Sequence, residues 1–218
     1  MARGKAKIVE TKVPLSAERI ELAALDLIEA EGLAAFSTRK LAGVLGCEAM
    51  SIYHYFPSKG HLMDALVDRV IGQEMSVLVP GAAPWRHQIE QSAYEWRAMA
   101  LKHPNFFGYL ALHRLNTPTS LTWLNGMIGT FAAAAANEEV AVRMFRAMGY
   151  YFTGALLDET AGYSRGPSTV APVPDDVMAE RYPAVLRAGR WFASKEHAKT
   201  FADGLRVFLD GVERELKG

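Results

Sequence analysis

The chain has 218 residues, half of them hydrophobic, with 24 basic and 24 acidic side chains and therefore no formal net charge. That composition excludes a disordered chain, and the length holds a small N-terminal domain plus a larger helical one. The single cysteine, Cys47, excludes an internal disulfide, and there is neither an apolar leader nor an uncharged apolar run of ~18 residues, so a cytoplasmic protein without a membrane segment is expected.

Residues 1–13 carry Arg3, Lys5, Lys7 and Lys12 and are expected to be a basic, flexible arm. A first helix is expected after Pro14, with Ser16 as N-cap, Leu15 and Ile20 at the spacing of a hydrophobic staple, and Gly32 as its end. Its apolar stripe is Ile20, Ala24, Leu27 and Ile28. The acids Glu18, Glu21, Asp26, Glu29 and Glu31 crowd the same helix, and residues 1–60 hold eight bases against seven acids. A local basic surface, not overall charge, would therefore have to carry any contact with phosphates.

Residues 37–62, STRKLAGVLGCEAMSIYHYFPSKGHL, predict two short helices around a tight turn, then an aromatic run and a lysine. Leu41, Ala42, Val44 and Leu45 are the apolar positions of the first, and Gly46 stands where the turn calls for positive φ. The second runs from about Glu48 to Tyr55 with Ile52 inward, too short to be stable without packing behind it. This is a helix-turn-helix, a motif whose second helix enters the DNA major groove.

The pattern Thr38-Arg39-Lys40-Leu41-Ala42, Leu45-Gly46, Ile52-Tyr53-His54-Tyr55-Phe56, Lys59 and Leu62 resembles the N-terminal domain of TetR-type transcriptional repressors. The likeness covers residues 15–66, about a quarter of the chain, and its Tyr-x-x-Phe-x-x-Lys tail is the specific part. It implies an all-α fold: a DNA-binding domain over 14–60 and a helical ligand-binding and dimerisation domain over 61–218. It also implies DNA-binding roles. Ser37 and Thr38 offer hydroxyls and free N–H groups to a phosphate. Arg39 can grip guanine O6 and N7, and Ala49, Met50 and Ser51 form the exposed recognition face, suited mainly to thymine methyls. Tyr53, Tyr55 and Lys59 match family positions that touch the DNA backbone. Ala49 departs from the polar residue some members carry, so no operator sequence is carried over. Phe56 and Cys47 are read as packing residues, and Lys40 as solvated.

Downstream, a fourth helix is expected from Lys59 or Gly60 to about Val77; in the family it links the two domains. Further helices are expected over Trp85–Lys102, 105–113, 118–136 and 138–162, followed by a loop at 163–175. A ninth helix, bent or broken at Pro183, covers about 176–188, and the last covers 194–216. No strand pattern or internal repeat is present.

The middle helices are rich in aromatics and methionines, which suits an apolar pocket. The expected ligand-binding set is Trp96, Met99, His103, Phe107, Leu110, His113, Trp123, Met127, Met148 and Tyr151. His103 and His113 lie ten apart across a proline, and Asp158 and Glu159 are adjacent; neither is a metal-ligand spacing, so no metal and no cofactor are expected. The resemblance implies that a small apolar or aromatic effector bound here releases the DNA. Stripes on the last helix (Phe201, Leu205, Phe208, Leu209, Val212, Leu216) and on helix eight (Val142, Phe145, Gly149, Phe152, Leu156) have helical period, which a face turned to the monomer core would also give. In the family these two helices form a four-helix bundle, implying a C2 homodimer through 138–162 and 194–216 that reads a palindromic double-stranded operator. Alternative readings are a helical small-molecule-binding or interaction protein with a degenerate DNA-binding motif, or an enzyme, although no phosphate loop or triad-like grouping is found.

Overall fold

A computed structural model describes residues 14–161 and 171–217. The expected basic arm, Gly162 and most of the expected loop at 163–175 lie outside the described residues. Within them every regular element is helical. The α-helices are α1 (Ala17–Glu31), α2 (Thr38–Leu45), α3 (Ala49–Tyr53), α4 (Lys59–Glu74), α5 (Trp85–Lys102), α6 (Pro104–Leu112), α7 (Pro118–Ala134), α8 (Glu138–Ala161), α9 (Asp175–Arg181), α10 (Pro183–Ala188) and α11 (His197–Lys217). Short 3-10 turns add Leu33–Ala35, Gly189–Trp191 and Ser194–Glu196. The chain forms two compact units that divide inside α4, after Met63.

In the first unit local chemistry sets the helix ends. Ser16 caps α1, its hydroxyl accepting from Arg19 N at 3.2 Å, and the expected stripe Ile20, Ala24, Leu27 and Ile28 is buried. Gly46 ends α2 at φ 64°, ψ 37°, and its N–H reaches the Ala42 and Gly43 carbonyls. That left-handed geometry costs a residue with a Cβ about 1–2 kcal/mol. α3 is shorter than the expected 48–55: Glu48 is extended and serves as N-cap, and Pro57 disfavours helix at Phe56. Ile52 and Phe56 are buried and anchor the helix from behind.

The second unit is a helical bundle in which α8 packs against α5, α6, α7 and α11. α4 stops at Glu74 rather than Val77, and the chain then crosses α7. A Cβ on Gly126 would lie 2.5 Å from Leu78 O, so only glycine lets the backbones approach this closely. Pro183 splits the expected ninth helix into α9 and α10. The last helix begins at His197 after a 3-10 turn rather than at Ser194. Its stripe is packed within the subunit, with Phe201, Leu205, Leu209, Val212 and Leu216 all buried. The large apolar side chains left exposed on α8 and α11 are Val142, which belongs to the expected helix-eight stripe, and Tyr150 and Val207, which belong to neither stripe.

Candidate nucleic-acid interface and ligand cleft

In the first unit, α2 and α3 present the residues singled out from sequence. Ser37 is the N-cap of α2, its hydroxyl accepting from Lys40 N at 3.2 Å. Thr38 Oγ1 and Tyr53 Oη lie 3.1 Å apart and tie the start of α2 to the end of α3. Arg39 is exposed and bonds to no described residue. Met50, 65% exposed, stands furthest out on α3, between half-buried Ala49 and Ser51. Lys40 pairs with Glu31 at 2.6 Å, both side chains largely in solvent.

Two residues expected at the DNA backbone also hold the protein together. Tyr55 Oη donates to Leu15 O at 2.7 Å. Lys59 Nζ donates to Phe36 O at 3.3 Å, with the ammonium 5.2 Å from the Phe36 ring centre. Lysine has three N–H donors, so this contact leaves two for a phosphate. Sequence spacing could not show these contacts, because Leu15 and Phe36 are 40 and 23 residues away.

In the second unit a cleft of about 210 Å³ opens among α5, α6, α7 and α8. Of the ten residues expected at a ligand, Trp96, Leu110, His113, Trp123 and Met148 line it. The indoles of Trp96 and Trp123 stack with centroids 5.2 Å apart and planes 14° from parallel, and Phe107 meets Trp96 edge-on at 6.2 Å. His113 lies against Tyr109, centroids 5.0 Å apart, and its Nε2 is 3.1 Å from Asp64 Oδ1 on α4, though not directed as a hydrogen bond. Burial, and secondarily the Asp64 carboxylate, pushes the Tyr109 phenol above its ordinary pKa.

The other five are placed elsewhere. Met99, Phe107 and Met127 are core residues with no more than 1% exposure. His103 sits at the start of α6, its Nε2 4.0 Å from Glu74. Tyr151 turns to α11, where its hydroxyl donates to Phe201 O at 2.8 Å and its ring stacks on Phe208 at 5.8 Å. The cleft instead takes Phe145, Gly149, Phe152 and Thr153 from α8, and Leu115 and Leu124. Their signal was in the sequence: Phe145, Gly149 and Phe152 belong to the helix-eight stripe read as a dimer seam. Glu159 is held by Arg97, whose Nε donates to its Oε2 at 2.9 Å. Among the described residues no three His, Cys, Asp or Glu side chains are grouped to hold a metal.

Comparison with known proteins places both units. Residues 21–66 match the model described as bacterial regulatory proteins, tetR family, and residues 79–216 the model of the tetracyclin repressor-like C-terminal domain. The HTH-type transcriptional repressor DrrR1 of Streptomyces coeruleorubidus is 27% identical over 93% of this chain and 78% of its own. The tetracycline repressor protein class A from transposon 1721 of Escherichia coli is 28% identical over 88% of each. The crystal structure of a possible TetR family transcriptional regulator from Streptomyces coelicolor A3(2) superposes with a TM-score of 0.75 at 24% identity, covering 91% of this chain and 99% of that one.

Proposed function

We propose a function from an established premise: the chain belongs to the tetR family of bacterial regulatory proteins. It is a transcription regulator with a helix-turn-helix, not an enzyme. Within that frame we read it as a homodimeric repressor that binds an inverted-repeat operator and is released by a small aromatic effector. Two similar proteins, DrrR1 and the class A tetracycline repressor, are named as repressors.

The observation that carries the reading is the cleft: a partly open apolar cavity walled by stacked indoles, in the domain that does not carry the helix-turn-helix. A core built only for stability fills such a space. On the DNA side, Arg39 is exposed at the first turn of α2, and Met50 offers an apolar tip to thymine methyls. The Thr38–Tyr53 contact fixes α3 against α2, and the Ser37 cap leaves helix N–H groups for a phosphate. Dimerisation supplies the second half-site, and the exposed Val142, Tyr150 and Val207 supply its apolar surface on α8 and α11.

The test is selection from random duplex DNA with full-length protein at fixed salt. The expected product is an inverted repeat whose enrichment disappears with Arg39→Ala, while circular dichroism stays unchanged. Recovery of no motif, with only salt-sensitive binding, would overturn the repressor reading.

A further inference from the structure

The residues that α8 gives to the cleft are Phe145, Met148, Gly149, Phe152 and Thr153. Their spacing of i, i+3, i+4, i+7 and i+8 puts them on one face of the helix, with Gly149 at its centre and Phe145 and Thr153 one turn to either side. The glycine answers to no backbone need within the described subunit. Its φ is not positive, and a Cβ built on it would meet no described atom within 4 Å. Gly126 on α7 shows the contrast, because a Cβ there would lie 2.5 Å from Leu78 O. Glycine inside a helix destabilises it relative to alanine. Position 149 therefore gives up helix stability without relieving strain or making room for a described neighbour. What it borders is the open volume of the cleft, about 210 Å³.

Resting on the aromatic-effector reading above, we propose that Gly149 is the specificity-determining residue of the cleft, and that its missing side chain admits the edge of a flat, fused aromatic ring system against the backbone of α8. The stacked indoles of Trp96 and Trp123, from α5 and α7, supply flat apolar wall, and Phe145 and Phe152 flank the notch on α8. A side chain at 149 takes the space of the ring edge, so this position sets the length of ring system that the cleft accepts. Close-packed interiors respond to a volume change of one methylene. A leucine side chain in the notch therefore weakens a three-ring ligand on the order of tenfold, and a two-ring ligand less.

The test compares full-length wild type with Gly149→Ala, Gly149→Leu and Gly154→Leu. Gly154 is the control: it lies on the same helix, is exposed and likewise has open space where a Cβ would be, but it does not line the cleft. Equilibrium dialysis measures naphthalene and fluorene, apolar probes of two and three fused rings. The wild type should bind both. Gly149→Leu should weaken fluorene about tenfold and naphthalene by less, and Gly154→Leu should change neither. A second readout needs no ligand: Gly149→Ala should raise the thermal midpoint by about 2–4 °C at unchanged sedimentation, because it removes only the helix penalty. Unchanged fluorene affinity in Gly149→Leu overturns the role of Gly149 and leaves the aromatic cleft standing. A lowered midpoint or altered sedimentation in Gly149→Ala also overturns it, by showing that the position packs against a second copy of the chain. Binding of neither probe by the wild type overturns the aromatic-effector reading and this proposal together.

Discussion

Asp68 is the side chain whose removal gives the sharpest test of how α4 is held to α7 inside the second unit. Its Oδ1 accepts from the Thr117 hydroxyl, from Ser120 N at 3.2 Å and from the Ser120 hydroxyl at 3.5 Å, so that one carboxylate of α4 closes the N-terminus of α7. Ser120 is fully buried. Asp68→Ala leaves its N–H and hydroxyl without this acceptor, at about 1–3 kcal/mol for an unsatisfied buried group. It also removes a negative charge from a helix N-terminus, worth about 0.3–1 kcal/mol. The sum is about 1.3–4 kcal/mol. At ~2–4 °C per kcal/mol for a unit of this size, the midpoint falls by about 3–16 °C. Thermal unfolding by circular dichroism at fixed protein concentration measures it, with Asp26→Ala on the exposed face of α1 as a control expected within ~0.5 kcal/mol. Asp68→Asn keeps an acceptor oxygen and loses the charge, so it should lose only about 1 kcal/mol. A midpoint for Asp68→Ala that matches the control refutes the capping role.

Gly46→Ala should destabilise the first unit by about 1–2 kcal/mol through backbone strain alone, since nothing lies within 4 Å of the added Cβ; urea unfolding showing no loss would contradict the left-handed turn. Val207→Asp combined with Tyr150→Asp places charges on the exposed apolar faces of α11 and α8, and sedimentation should show monomer for the variant against the dimer proposed for the wild type. Burial raises the Tyr151 pKa above its ordinary value near 10. The unfolded chain then loses this proton first, so the stability is complete below pH ~10 and falls as pH rises towards the folded-state value. In Tyr151→Phe that alkaline loss should be shallower, as measured by unfolding midpoints from pH 9 to 11.

The helix-turn-helix was legible because its signals are local. A Ser cap and a left-handed glycine each act within one turn of helix and hold their expected places, and of the apolar positions Leu41, Ala42, Leu45 and Ile52 are buried while Val44 is exposed. Helix ends were less legible where a distant backbone decides them. α4 stops three residues early because the following segment must lie on Gly126, some fifty positions away in the chain, and nothing near Glu74 records that.

The ligand cleft shows the deeper limit. Hydrophobic period reports which face of a helix is turned from water, not what covers it. On α8 the same period puts Phe152 in the cleft wall and Leu156 in the closed core, while Tyr151, one step round the helix, binds α11. Core, cleft and subunit seam call for the same residue types, and they differ only in whether protein atoms fill the facing volume. Met99, Phe107 and Met127 vanish into the core, whereas Trp123, stacked on Trp96, lines the cleft. Composition marked all four alike; only the three-dimensional packing shows which of them borders an unfilled volume.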